Sequence, residues 1–387
     1  MTMTRYCAIF ILLFTSVASA EKAPNFIVMI GDDMGVETVS CYPVGSKPAK
    51  TPHIDELCDS GVRFDNFWSQ AVCSPTRATI LTGQFGFRNG VGTPATGPDI
   101  DYPVPELPES AASEWTDPDQ PNAGMGMGMG GGMGMGAGVL PGEEDDPLNQ
   151  RPSITKDAYG LPAALGADES LAYQSAAFGK WHLASVENGG LDHPAVVGFD
   201  YYEGNYNGGS PESYFAWSKV INGEITDGQT GYVTSETVND ALRWYEQRDK
   251  DRPWLMWVAF NAPHSPYSPP PAALLSEETA AALDGADEQF IYRAMIEAMD
   301  TEIGRLLSEI PEDELANTYV MFLGDNGTPG SMATAPVAND RAKGRVHQGG
   351  VNVPLVVAGP GVAAGESTQA LANSVDLFST VLDLAGT

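Results

Sequence analysis

Several short stretches of this chain put metal-ligating, proton-handling or nucleophilic side chains where the chain would turn back on itself. Asp32-Asp33 follow the apolar run Asn25 to Ile30 and a glycine, Asn261-Ala262-Pro263-His264 follows Trp254 to Phe260, and Asp325-Asn326 follows Thr318 to Leu323. A single acidic pair in such a place is more often a solvated turn than a site. Three run ends that all carry metal- or proton-handling groups are hard to assign to chance. Between them lies Cys73-Ser74-Pro75-Thr76-Arg77, whose spacing predicts a helix with Ser74 as N-cap, Pro75 at the first position and Gly83 just past the end. Cys73 would then stand at the positive end of the helix dipole. Arg77, one turn on, could brace or neutralise whatever Cys73 carries, which makes an anion site with a nucleophile in it. Lys180 and His182 alternate along a predicted strand, so both side chains would face one side.

These groups can meet only if the elements before them end together. The runs named above, with Pro354 to Val357, have the type of strands buried in a parallel sheet. Between them are helical patterns, notably Tyr292, Met295, Ile296, Met299, Ile303, Leu306 and Leu307 at three- and four-residue spacing. Strands alternating with helices predict an α/β fold with a mainly parallel central sheet. Ligands of such sheets bind outside the carboxyl ends of the strands, where the polar groups fall.

The 387 residues suffice for one large α/β domain. Arg5, the apolar run Ile9 to Phe14, and Ala18-Ser19-Ala20 read as a signal peptide over residues 1–20. The mature chain is therefore expected to be exported, periplasmic or extracellular, without a stable membrane anchor. In an oxidising compartment Cys41, Cys58 and Cys73 leave one cysteine odd. Cys58 falls on an apolar stripe with Ile54 and Leu57, where a buried thiol and a disulfide to Cys41 are both open readings. A formal charge of −31 argues against a nucleic-acid partner, and an anionic substrate would need a locally cationic pocket. Residues 94–152 hold many prolines, a Gly-Met repeat and an acidic run, and read as a low-complexity insertion that builds no core. Tyr201, Tyr202, Tyr206, Tyr214, Phe215 and Trp217 offer rings for stacking on sugars, although core packing accounts for most such residues.

The cysteine motif Cys73-x-Pro75-x-Arg77 resembles the modification signature of the type I sulfatases in the alkaline phosphatase superfamily. The resemblance extends over nearly the whole mature chain. It takes in Pro24 to Asp33, Thr51 to Asp55, Gly179 to Leu183, Ala262-Pro263-His264, Gly324 to Gly327, and Gly349-Gly350 with Val353-Pro354. It implies an α/β fold with helices on both faces of the sheet, residues 21–387 as the catalytic domain, and a small antiparallel carboxy-terminal domain that this chain lacks. A chain shortened at its carboxy terminus is therefore expected. The resemblance further implies that a formylglycine-generating enzyme oxidises Cys73 to formylglycine, whose hydrate attacks sulfate esters. An ordinary serine would be left as a stable sulfate ester, whereas a geminal diol expels sulfate by re-forming its aldehyde. One calcium ion would be held by Asp32, Asp33, Asp325 and Asn326 together with the residue made from Cys73, an oxygen set suited to a hard cation. Lys180 would hold the sulfate and His182 would take the proton from the second hydroxyl. His264 and Lys343 would bind sulfate and help protonate the leaving alcohol, with either of them as the acid.

Two positions depart from the family pattern, in which an aromatic residue and a glutamate precede the paired glycines, whereas this chain has His347 and Gln348. His53 and His193 match no catalytic position and are expected at the surface or as caps. The expected reaction is hydrolysis of a carbohydrate sulfate. The alternatives are a formylglycine phosphodiesterase or phosphonate monoester hydrolase, and a non-catalytic binder of sulfated glycans.

Overall fold

A computed structural model of the protein describes residues 22–95, 153–206 and 213–387. The expected signal segment and nearly all of the 94–152 insertion lie outside the described residues.

The central sheet follows from runs that are apolar at every position. Its strands in chain order are β1 (Asn25–Gly31), β2 (Val62–Phe64), β3 (Gln174–Gly179), β4 (Tyr201–Gly204), β5 (Val220–Ile221), β6 (Glu224–Ile225), β7 (Trp254–Ala259), β8 (Thr318–Gly324), β9 (Leu355–Ala358) and β10 (Glu366–Thr368). Across the sheet they lie in the order β10-β2-β9-β8-β1-β7-β3-β4-β5-β6. The five strands from β8 to β4 are parallel. All residues of β1, β3, β7 and β8 are buried, as strands covered on both faces must be. Alternation along β1 splits its side chains between two cores. Ile27 and Met29 pack on one face with Ile54, Val238 and Met295, while Phe26, Val28 and Ile30 pack on the other with Ile80, Leu81 and Val381. The first face is thus covered by helices α1 (Pro52–Ser60), α3 (Val233–Gln247) and α4 (Glu288–Ser308), and the second by α2 (Cys73–Thr82) and α5 (Asp376–Ala385).

Register turns this sheet into a scaffold for a site. Gly31 pairs with Gly324, Ile30 with Ala259, and Ala259 with Gly179, so four neighbouring strands end level. Asp32-Asp33, Asp325-Asn326, Asn261 to His264, and Lys180 onward all begin at that one edge.

Several expectations are corrected. The Pro354 to Val357 run forms β9, which pairs antiparallel with β8, because its connection returns along the sheet edge without a crossover helix. Cys41 and Cys58 are disulfide-bonded, which decides between the two readings of Cys58 and leaves Cys73 free and buried. The aromatic stretch behaves as expected for core packing, with Tyr202, Tyr206, Tyr214 and Trp217 buried. The Tyr214 hydroxyl also lies 2.9 Å from the Asn261 carbonyl and 2.7 Å from that of His264, pinning the loop after β7.

His193 is not exposed, and beyond the backbone cap it makes for Gly190–Asp192, with its N–H donating to the Gly190 carbonyl, its ring has a part in the core. It is fully buried, its Nδ1 accepts a hydrogen bond from the Trp181 indole N–H at 2.9 Å, and its Nε2 sits 2.7 Å from the Ile154 carbonyl, to which it must donate. This ring therefore fixes the back of the loop that carries Lys180 and His182. His53 is half-buried within α1, its ring against Gly304 of α4. Among the described residues no helix is long and apolar enough to cross a membrane.

Burial lowers the His193 imidazole to about 4, against which its bond to the Ile154 carbonyl works only weakly. The unfolded chain binds a proton near pH 6.5 that the folded chain refuses. The stability from neutral His193 is thus present above about pH 6.5 and is lost as pH falls toward about 4. Urea unfolding across that range should give a shallower pH slope for His193→Ala than for the wild type, and at pH 7 the variant should be less stable by about 2–4 kcal/mol.

Candidate active site

Asp32 and Asp33 leave the end of β1 in a turn where Asp33 adopts a left-handed backbone (φ 71°). That conformation is held from two sides. The Asp33 N–H donates to Asp325 Oδ1 at 3.0 Å, and the Tyr292 hydroxyl donates to the Asp33 carbonyl at 2.6 Å. Across the strand pair, Asn326 Nδ2 donates to Asp33 Oδ1 at 2.8 Å. The two acidic turns are thereby bonded into one unit, as their level strand ends require.

Helix α2 begins at Cys73 itself, with Val72 as N-cap and Gly83 closing the helix in the left-handed region (φ 63°). Ser74 is not the cap. Its hydroxyl donates to the His182 carbonyl at 2.7 Å and accepts from the Ala95 N–H at 2.9 Å, so it ties the nucleophile helix to the loop bearing His182. Cys73 still lies in the first turn, at the positive end of the dipole. Its thiol is pushed up to about 12 by burial, which the neighbouring Lys180 and Lys343 only partly offset. Burial thus disfavours the thiolate of an unmodified Cys73.

Arg77 reaches past Cys73 to the acids. Its Nε and Nη2 donate to Asp325 Oδ2 at 3.0 and 2.8 Å, its Nη1 donates to the Lys180 carbonyl at 3.1 Å, and Nη2 is 3.8 Å from Asp32 Oδ2. The guanidinium is fully buried. It acts as a brace for the carboxylates and the Lys180 loop, a positioning role.

Lys180 and His182 do not alternate along a strand. β3 ends at Gly179, whose positive φ of 81° and 2.1 Å approach of a would-be Cβ to the Ala259 carbonyl require glycine, and His182 itself has φ 57°. A tight loop, not strand pleating, sends both side chains to the site. Lys180 Nζ bonds Asp32 Oδ2. His182 is buried with Nδ1 unpartnered. Its imidazole is held well below the usual range, first by burial and then by the positive charges of Lys180 and Arg77. A neutral imidazole with a free ring nitrogen has a lone pair open to a proton.

His264 Nδ1 lies 2.8 Å from the Ser265 carbonyl, so that nitrogen carries the proton, and Nε2 faces Asp33 Oδ2 at 3.7 Å. Burial lowers His264 to about 4 against the pull of Asp33. Lys343 Nζ is 2.5 Å from Asp33 Oδ1, and Asp33 raises the ammonium against burial, keeping it charged. Burial would raise Asp33, but Lys343 and His264 outweigh it and hold its carboxyl below the ordinary carboxylate range. Asp325 goes the other way, to about 6, through burial and the adjacent Asp32, with Arg77 opposing.

All ten residues expected from sequence thus converge, and the arrangement suits a hard cation. Ligand atoms of Asp32, Asp33, Cys73 and His264 lie within 4.8 Å of one another. Asp32 Oδ1 and Asn326 Oδ1 are buried and have no hydrogen-bond partner, two oxygens aimed at nothing the protein supplies. Carboxylate and amide oxygens are what calcium takes, and they fit it. Tyr292, Ser74, Tyr214 and the Trp181–His193 pair were missed by sequence reasoning. Each acts through a bond to a distant backbone carbonyl or ring, which no local spacing announces.

A sulfatase family model matches residues 24–113 and 161–387. The chain belongs to the sulfatase family. It is 26% identical over 402 residues to human (Homo sapiens) N-acetylgalactosamine-6-sulfatase, a match spanning 95% of this chain and 63% of that protein. It is 28% identical over 254 residues to an N-acetylglucosamine-6-O-sulfatase of Bacteroides thetaiotaomicron, over 65% of this chain and 33% of the relative. Its fold is that of the crystal structure of Ps i-CgsB in complex with k-i-k-neocarrahexaose, with a TM-score of 0.68 at 23% identity over 94% of this chain and 72% of the other. The chain therefore spans less than two thirds of the length of the curated N-acetylgalactosamine-6-sulfatases it matches.

Because Arg77 is the partner of a fully buried carboxylate, Arg77→Met should cost about 3–5 kcal/mol. Chemical unfolding should show that loss, and Arg77→Lys should recover only part of it, since an ammonium cannot supply three donors in one plane.

Proposed function

We propose that this protein hydrolyses sulfate esters of carbohydrates to the alcohol and inorganic sulfate. The observation that carries the proposal is the convergence, at one level sheet edge, of buried acidic oxygens with Lys180, His182, His264 and Lys343 around Cys73. The family match and the relatives' names, which refer to 6-sulfated amino sugars, support a glycan sulfate as substrate.

Cys73, oxidised to formylglycine and hydrated, would supply the oxygen that attacks sulfur and would release sulfate as the aldehyde re-forms. Asp32, Asp33, Asp325 and Asn326 would hold calcium, which would lower the pKa of the attacking hydroxyl and screen the sulfate oxygens. The chain's own groups do the rest. Lys180 and Lys343 bring two ammonium groups near Cys73, where they would stabilise the negative charge of the transition state. His182, neutral and with Nδ1 free, accepts the proton whose departure expels sulfate. The leaving alcohol oxygen would take its proton from Lys343, the charged member of the two groups that face Asp33, with neutral His264 beside it. Ser74 and Arg77 would keep these groups in register.

The sequence signals of export and the disulfide between Cys41 and Cys58 fit a periplasmic or extracellular protein that meets its glycan outside the cytoplasm. Its maturation would require a formylglycine-generating enzyme.

Turnover of an aryl sulfate compared with a matched aryl phosphate diester tests the reaction class. The sulfate should react faster, and a calcium chelator and Cys73→Ala should each abolish turnover. A faster phosphodiester, or sulfate turnover that survives both treatments, would contradict the proposal.

A further inference from the structure

Arg341–His347 carries Lys343 into the site. It also holds three of the chain's 20 lysines and arginines, Arg341, Lys343 and Arg345, and no acid occurs from Arg341 through Val353. The concentration is unusual against 51 acidic residues. Elsewhere Arg63, Arg77, Arg243, Arg248 and Arg305 are each paired with a carboxylate. Among the described residues Arg341 and Arg345 form no such pair, and neither do Arg88, Arg252 and Arg293, but only Arg341 and Arg345 flank Lys343; Arg345 and His347 are exposed.

The segment is a fixed strap. The Lys343 N–H donates to the Thr328 carbonyl at 2.9 Å, and the Gly344 N–H donates to the Ala71 carbonyl at 2.8 Å, two residues before Cys73. At its far end the His347 carbonyl accepts from the N–H groups of Gly350 and Val351, at 2.8 and 3.1 Å. Lys343 points inward to Asp33. Two residues on, the Cα of Arg345 lies within about 7 Å of the Cα of Lys343, the reach of an extended chain. The strap that bears the exposed Arg345 is thus fixed beside an anion site, and the planar fork of a guanidinium suits an oxyanion.

We propose that Arg345, with His347 beside it, binds a second anionic group of the substrate, a sulfate or a carboxylate next to the ester being hydrolysed. The preferred substrate is then a glycan with at least two anionic groups. This rests on the sulfate-ester reading of the site and adds to it a reason for His347, one of the two residues that depart from the family pattern.

The test is equilibrium binding to the full chain carrying Cys73→Ala, which holds a substrate without turning it over. Three disaccharides are compared, one with a single sulfate, one with two sulfates, and one with a sulfate and a uronic carboxylate. The second charge should tighten binding about tenfold, as a charge-assisted pair does. Adding Arg345→Ser should remove that gain and leave binding of the monosulfate within about twofold. Which of the doubly charged sugars shows the gain identifies the group. Equal binding of all three, no binding of any, or a gain that survives Arg345→Ser overturns the inference. Aryl sulfate turnover by chains that keep Cys73 separates the two claims. Arg345→Ser should leave it intact, whereas its absence from the wild type would sink the sulfatase reading without touching the binding comparison.

Discussion

The bonded pair of Arg77 and Asp325 holds the rest of the site to one geometry. Both side chains are fully buried, and an unpaired charge at that depth costs several kcal/mol, so neither can be placed without the other. The pair joins the helix that starts at Cys73 to the end of β8. Through the Lys180 carbonyl the same guanidinium holds the loop after β3, and through Asp325 Oδ1 the opposite carboxylate fixes the strained Asp33 turn after β1. One interaction therefore sets the spacing of three strand ends, and the chemistry is hung on that spacing.

Charge is distributed unevenly around this brace. In a chain of net −31 the site gathers Arg77, Lys180 and Lys343, each bonded to one of three converging carboxylates. The carboxylates respond in opposite directions, with Asp325 raised by burial and Asp33 lowered by Lys343 and His264. Burial with nearby positive charge keeps His182 neutral. Such separation of neighbouring groups is what acid, base and metal-ligand roles need in a single cavity. The two unpartnered oxygens of Asp32 and Asn326 are the part of the network left for a cation.

The parallel strands and their polar ends were readable because burial on both faces forces continuous apolar runs and because ligand groups follow such runs directly. The Glu288–Ser308 helix was readable for the same reason, from its three- and four-residue stripe. The direction of β9 was not, since a short apolar run has the same composition either way. Ser74 looked like a cap from its position before Pro75, but a bond to His182, far away in the chain, claimed its hydroxyl. Lys180 and His182 were assigned to a strand by alternation, where the left-handed backbone of Gly179 and His182 does the aiming. His193 gave no local sign of its burial, which depends on Trp181 and Ile154 reaching it from separate segments.

The central claim of the proposal is that Cys73 is a precursor and its thiol is not the catalyst, a reading that accords with a thiol pushed up to about 12 by burial. The mass of the peptide containing Cys73 tests it most directly, measured on active protein made in a host with the converting enzyme. The account predicts an aldehyde or its hydrate at that position, in proportion to activity. Fully active protein with an unmodified thiol there would contradict it.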